Sequence, residues 1–458
     1  MKSALEIGRG VRAGTLRAVE VIEGTLEGIA ASDPEINAFT TRLDAQARRD
    51  ATAIDAAIAA GNDPGPLAGV PFAVKNLFDV AGVTTIAGAR IHAHGAPAAR
   101  DATLVQRLKA SGAILVGALN MDAYAYGFTT ENTHYGATHN PHDPSLTAGG
   151  SSGGSAAAIA AGMVPLTLGS DTNGSIRVPA SFCGVFGLRP TFGRLSRAGT
   201  LPFVHDLDVL GPFAACTADL ALAYDATCGP DAKDPACSNR AWTSLGPTLG
   251  DGIDGLRVAV CDGFFEHPLD PQARRAVQLA AEALGTRRRV TIPEAERARA
   301  AAFVLTASTA GALYRDDLQT RPDEFEPLAR DRLLAGALVP AAWLHQAQRF
   351  RRWYHAALLS CFDLVDAMIA PATPCPAFAL GTETLICDGV SMPARPNVGI
   401  FTQPISFAGV PVAAVPMAID GPLPVAVQVI AAPWCEHICL RVAAELERRG
   451  AARAWVRS

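Results

Sequence analysis

Three short stretches carry residue types that could do chemistry together. The first is Gly69-Val70-Pro71-Phe72-Ala73-Val74-Lys75, an apolar run that ends in a lysine. The chain has only four lysines (Lys2, Lys75, Lys109 and Lys233), and every other non-histidine basic residue is arginine. Arginine keeps its proton at any working pH, whereas a lysine removed from water can give its proton up and serve as a base. The alternative for Lys75 is a stem that packs while the ammonium reaches water. The second stretch is Gly149-Gly150-Ser151-Ser152-Gly153-Gly154-Ser155 and the third is Gly169-Ser170-Asp171-Thr172-Asn173-Gly174-Ser175-Ile176-Arg177. A serine hydroxyl is a poor nucleophile until a base takes its proton. A turn of small residues around Ser175 offers free backbone N–H groups, which is what a developing oxyanion needs.

Other readings of the glycine-serine run are weaker. A phosphate-binding loop ends in Gly-Lys-Ser/Thr, and here Ser155 follows Gly154 without a lysine. A nucleophile elbow, G-x-S-x-G, must follow a strand, yet Asn140 to Ala148 does not read as one, and the ten histidines stand in no matching context. A flexible linker would not run straight into an alanine-rich helix and a buried strand.

Elements that could hold these residues can be traced on either side. Thr15 is placed to cap a helix over about 16–30, with Leu16, Val19, Leu26 and Ile29 on its apolar stripe. A second amphipathic helix spans about 43–60 and closes at Gly61-Asn62-Asp63-Pro64-Gly65-Pro66. Strands are expected at 70–74, 113–117, 164–168, 367–370 and 424–431, with helices at 104–110, 156–161 and 435–450. Residues 138–155 read as a loop with little to bury, and 231–252 as a polar surface excursion. The alternation of strand and helix predicts an α/β fold. No internal repeat or composition break marks a domain boundary, so one domain over 1–458 is expected: helices at about 1–60, a core at about 60–215 and a C-terminal part at about 255–458.

Composition narrows the function. Hydrophobic residues make up 49% and charged residues 18%, enough for a large core. The net charge of -5 leaves no basic footprint for nucleic acid. The stretch 156–169 is too short to span a bilayer, and no apolar run follows the N-terminus, so a cytoplasmic protein without membrane contact is expected. The ten cysteines, from Cys183 to Cys439, form no CxxC pair, which argues against a zinc site and for buried thiols.

Taken together, Pro71–Asn76, the Gly-Gly-Ser-Ser-Gly-Gly-Ser run and Gly-Ser-Asp-Thr-Asn-Gly-Ser-Ile-Arg resemble the amidase-signature family in order and wording, with Ser151 and Ser175 24 positions apart. Asn120-Met121-Asp122, Thr130-Glu131-Asn132 and Ala180-Ser181-Phe182-Cys183-Gly184 carry the resemblance further. It implies a large mixed central sheet covered by helices on both faces. It also implies an amide hydrolase without metal or cofactor, in which Ser175 forms the acyl bond, Ser151 bridges after a cis peptide bond, and Lys75 is the base. Thr172, Asn173, Gly174 and Ser175 would supply the oxyanion-hole N–H groups. Asn173 departs from the glycine usual there. That wording, with Arg395-Pro396-Asn397, Phe401 to Ser406 and Gln428 to Trp434, is similar to the branch acting on 1-carboxybiuret and related urea-like amides.

Thr129 and Arg395 are candidate substrate-binding residues; Arg395 could pair with a substrate carboxylate, and its alternative is a surface or structural arginine. Arg177 is expected to brace Asp171, and Trp434 to pack in the core. The resemblance also implies a small helical accessory subunit, with a homodimer of that pair. Two rival functions share the pattern: the glutaminase subunit of a glutamyl-tRNA amidotransferase, and an inactive amidase-like binding subunit. The acidic charge and Asn173 lean against the first, and three intact catalytic positions against the second.

Overall fold

The apolar runs become strands of one sheet in the computed structural model, which describes residues 2–457. Among the described residues that sheet has eleven strands: β1 (Phe39–Arg42), β2 (Pro71–Lys75), β3 (Ile114–Leu119), β4 (Leu166–Asp171), β5 (Phe186–Arg189), β6 (Val209–Ala214), β7 (Val258–Cys261), β8 (Arg289–Val290), β9 (Ala367–Pro371), β10 (Val412–Pro416) and β11 (Ala426–Ala431). Their order is β1-β3-β2-β4-β6-β5-β10-β11-β9-β7-β8. Pairs β3–β2, β2–β4, β9–β7 and β7–β8 are parallel and the remaining pairs antiparallel, so the sheet is mixed. Most of its strands are buried along their whole length, which explains why β2, β3 and β9 read as apolar runs. Helices flank the sheet, as expected.

This topology fixes the site. Parallel neighbours β2 and β4 end together, with Lys75 closing β2 and Ser170-Asp171 closing β4. In open α/β sheets the crevice beyond such carboxyl ends is where ligands bind. The helix Gly153–Ala160 leads into β4, and the helix Arg177–Cys183 follows it. Thus each glycine-serine stretch is a turn between a loop or strand end and a helix.

Several local expectations need correction. Thr15 is not a cap; its hydroxyl donates to the Gly10 carbonyl at 3.1 Å. The helix begins at Ala18, and the Asp55 carboxylate takes the Ala18 and Val19 N–H groups at 2.7 and 3.3 Å. A carboxylate from a neighbouring helix has replaced the local cap. Residues 138–155 are not a solvated loop. Residues 139–140 pair with 143–147, and Thr147 to Ser155 are buried. Asn140 holds this segment by donating to the Thr147 and Phe182 carbonyls at 3.1 and 2.8 Å. A run of polar side chains was buried because each found a partner, a pattern that hydrophobicity does not reveal. In 231–252, Asp234 is buried and binds Arg197 at 3.0 Å, so this excursion is pinned to the body. Trp434 is half-buried, with the guanidinium carbons of Arg194 and Arg240 at 4.6 and 5.6 Å from its ring, rather than a core residue.

Candidate active site

Lys75 is fully buried, and its ammonium does not reach water. Its Nζ donates to Ser151 Oγ at 2.7 Å and to Ser170 Oγ at 2.9 Å. Burial pulls its pKa from 10.5 down to about 7, against the opposing pull of Asp122, Asp208 and Asp171. A lysine in that range is part neutral at neutral pH, the condition for a general base. Ser170 was not singled out by its sequence context. Its role comes from Lys75 on the neighbouring strand, which sequence context alone does not show.

The Gly150–Ser151 peptide bond is cis. Asp122 packs directly against Gly150: a Cβ there would lie 2.0 Å from Asp122 Oδ2. That carboxylate accepts the N–H groups of Thr129 and Thr130 at 3.2 and 2.9 Å, while the Asp122 N–H donates to the Ser151 carbonyl at 3.2 Å. Burial raises the Asp122 pKa, with Arg395 as the largest opposing influence. Asp122 therefore sets the backbone on which Ser151 sits, a role that its motif did not reveal.

The loop of Ser175 is held by its neighbours. Thr172 donates to Asp208 Oδ1 at 2.6 Å, and Thr402 Oγ1 donates to the Asn173 carbonyl at 2.7 Å. Asn173 Nδ2 donates to Thr306 Oγ1 at 2.9 Å. Gly174 has φ +140°, and a Cβ there would meet Thr402 Oγ1 at 2.1 Å, so only glycine suits the position. Ser175 is 3% exposed and its hydroxyl makes no hydrogen bond among the described residues. The structure thus joins Lys75 to Ser151 directly and leaves the Ser175 hydroxyl free.

Beneath this loop lies a buried ion cluster. Asp171 binds both Arg177 and Arg189, each at 3.0 Å and all three fully buried. Burial alone would raise the Asp171 carboxyl, but the two guanidinium groups overcome it and hold it well below the usual carboxylate range. Asp171 also accepts the Ile176 N–H at 3.2 Å. Arg177 reaches further, to Gln428 Oε1 at 2.6 Å, to the Thr402 carbonyl at 3.1 Å and to Ser406 Oγ. We expect Asp171→Asn to destabilise the fold by about 3–5 kcal/mol, because two buried cations lose their counter-charge. Asp171 is depressed in the native state, so its stabilisation is present above the ordinary carboxylate pKa of about 4 and is lost only as pH falls further. Urea unfolding at pH 7 would check this; a loss under about 1 kcal/mol would refute it.

Thr129 and Arg395, 266 residues apart, do meet: Arg395 Nη2 donates to Thr129 Oγ1 at 3.1 Å. Arg395 also faces Glu131 at 3.3 Å and Asp122 at 3.9 Å, so its charge is already opposed by two carboxylates. A cavity of about 700 Å³ reaches Ser170 on the base side of the site, with Thr172, Asp208, Leu77, Leu201 and Phe203 among its walls. Ser175 does not line it. Among the described residues no group of three or more His, Cys, Asp or Glu side chains could hold a metal ion, and no helix is long and apolar enough to cross a membrane.

Known proteins share this fold and much of this sequence. Residues 20–440 match the sequence pattern of the family described as Amidase. The chain is 56% identical over 452 residues to the AtzE subunit of the 1-carboxybiuret hydrolase of Pseudomonas sp. (strain ADP), covering 98% of this chain and 99% of that one. It is 35% identical over 474 residues to a subunit of the glutamyl-tRNA(Gln) amidotransferase of Carboxydothermus hydrogenoformans, covering 97% and 96%. A solved structure described as a vestigial protein complex of an s-triazine catabolic enzyme superposes with a TM-score of 0.97 at 55% identity, over 99% of this chain and 100% of that one. A crystal structure of an amidase superposes with a TM-score of 0.88 at 32% identity, over 98% and 100%. A match that spans nearly the whole chain, and the same fold in solved amidases, place this protein in the amidase family as a hydrolase of carbon–nitrogen bonds other than peptide bonds.

Proposed function

We propose that this chain hydrolyses a small, carboxylated, urea-like amide such as 1-carboxybiuret, releasing ammonia through an acyl-enzyme on Ser175. The observation that carries the reading is the 56% identity to a 1-carboxybiuret hydrolase subunit over 98% of the chain. The likeness to amidotransferase subunits is weaker, at 35%.

In this reading neutral Lys75 takes a proton from Ser151, and Ser151 takes one from Ser175. Ser175 Oγ attacks the amide carbonyl, and the oxygen gains charge facing the N–H groups of Thr172, Asn173, Gly174 and Ser175. As the tetrahedral species collapses, the C–N bond breaks and the proton returns through Ser151 to the departing nitrogen. Water, deprotonated along the same path, then attacks the acyl ester and frees Ser175. Thr129 and Arg395 would border the substrate, with Thr129 fixed through Asp122.

Ammonia release from 1-carboxybiuret, biuret, allophanate, glutamine and a simple aryl amide tests the proposal. Turnover should be greatest on 1-carboxybiuret. Preference for glutamine would favour the amidotransferase reading, and no turnover on any of the five would favour the inactive-subunit reading.

We also propose a small helical companion chain, because the solved relative is described as a complex. The chain purified from its native host should elute as a heteromer on size exclusion, and possession of full activity by a lone soluble monomer would remove this part of the reading.

A further inference from the structure

Among the cations around the nucleophile loop, Arg299 differs from those already described because no carboxylate among the described residues lies within ion-pair distance of it. It stands on the helix Ala295–Leu313 and is half-buried. Its Nε donates to Gln403 Oε1 at 2.8 Å, and its Nη2 to Asn397 Oδ1 at 2.6 Å and to the Pro396 carbonyl at 3.0 Å. Its guanidinium carbon lies 5.3 Å from the centre of the Phe303 ring. Nη1 makes no hydrogen bond among the described residues. Neutral acceptors thus fix the plane of the guanidinium without cancelling its charge, and one edge stays unused.

Burial lowers the Arg299 pKa, and only Glu296 on the same helix opposes that shift. A partly desolvated cation held by neutral groups is an incomplete ion pair, which an incoming anion would complete. Arg395 does not meet that description, since Glu131 and Asp122 already face it. Arg177 is spent on Asp171.

Arg299 is tied to the nucleophile loop by two routes. Gln403 directly follows Thr402, whose hydroxyl donates to the Asn173 carbonyl. Thr306, seven residues after Arg299 on the same helix, accepts from Asn173 Nδ2; two helical turns separate them by about 10 Å. Consecutive loop residues are held by different elements. Thr172 points to Asp208 on the cavity wall, whereas Asn173 points to Thr306.

We propose that Arg299 binds the carboxylate at the non-reacting end of the substrate, held ready by Gln403 and Asn397. This rests on the carboxylated-amide reading above. A substrate lying across Ser175 would then keep its anionic end on the Arg299 side. Its cleaved amide would face Lys75 and Ser151, where the departing nitrogen needs a proton. The carboxylate stays with the acyl group, so Arg299 would hold both the Michaelis complex and the acyl-enzyme.

The test compares kcat/KM for 1-carboxybiuret and biuret in the wild type and in Arg299→Ala, Arg299→Lys, Arg395→Ala and Arg332→Ala. Arg332 is included because it too lacks a carboxylate partner among the described residues; it donates to the Tyr126 carbonyl at 3.0 Å and lies over that ring at 3.6 Å. Arg299→Ala should lower the preference for 1-carboxybiuret over biuret by at least about tenfold, mainly through KM, as expected for a lost charge-assisted bond. Arg299→Lys should keep part of the preference, and guanidinium ion should restore part of it to Arg299→Ala. A merely structural loss would hit both substrates alike and would not be rescued. An unchanged preference in Arg299→Ala and Arg299→Lys, or a loss confined to Arg395→Ala or Arg332→Ala, would overturn the assignment while leaving the substrate class standing. A wild type with no preference for the carboxylated amide would overturn both.

Discussion

Replacing Ser175 by alanine should lower turnover by at least about 10⁴-fold and leave the fold intact. The hydroxyl is the atom that would form the acyl bond, so nothing else in the loop can substitute for it. It also makes no hydrogen bond among the described residues, and its removal strands no partner. Stability should therefore change by less than about 1 kcal/mol. Ser151→Ala should also be severe, for a different reason: it removes the acceptor that Lys75 holds at 2.7 Å and breaks the proton path. Groups that act as one relay lose activity non-additively, so Lys75→Ala combined with Ser151→Ala should be little worse than either alone. Single-turnover kinetics and thermal unfolding of the same preparations would separate chemistry from folding. If Ser175→Ala kept near-normal rates while Ser151→Ala was dead, the nucleophile would be Ser151.

The pH profile should show the second large effect. Burial draws the Lys75 pKa down to about 7, and the base must be neutral to act. Activity should thus be lost as pH falls through about 7 and be fully present well above it; at pH 6 about one tenth of the plateau should remain. Lys75→Arg keeps the charge, but arginine cannot release its proton. We expect about 10³-fold or greater loss in this variant across pH 6–9. A wild-type rate that stayed flat from pH 5 to 9, or an active Lys75→Arg enzyme, would falsify the base assignment.

How far the sequence could be read follows from where the signals lie. Buried strands such as Val70 to Val74 and Ala367 to Ala370 are continuous apolar runs and were placed to within a few residues. Lys75 stood out because a lysine among so many arginines ended such a run. Polar burial left no comparable trace. Ser170 and Asp122 matter through neighbours on other elements, as does the Asp55 carboxylate that starts the second helix. The helix Ala4–Arg12 was missed although Ser3 and Glu6 form a capping box, a local signature that was present. The helices between 295 and 361 were also unread. Ala295–Leu313 is alanine-rich, and Ala341–Cys361 carries exposed tryptophans at 343 and 353 that blur its stripe. Those helices hold Arg299 and Thr306, so the proposed substrate contact at Arg299 was less legible than the catalytic residues.

The anchoring of Asn173 to Thr306 and of its carbonyl to Thr402 has a consequence for protein engineering. The proposed chemical machinery comes from residues 75–177, whereas the groups that hold Asn173, those of Thr306 and Thr402, come from more than a hundred positions later. If Arg299 binds the substrate as proposed, libraries confined to the later segments should retune substrate choice while the catalytic half is inherited unaltered. Asn173 is the seam between the halves: recombination that exchanged the later segments without matching its partners Thr306 and Thr402 would leave the oxyanion loop loose. Crossovers should therefore keep positions 173 and 306 as a linked pair and retain Thr402, which holds the main-chain carbonyl whatever side chain stands at 173.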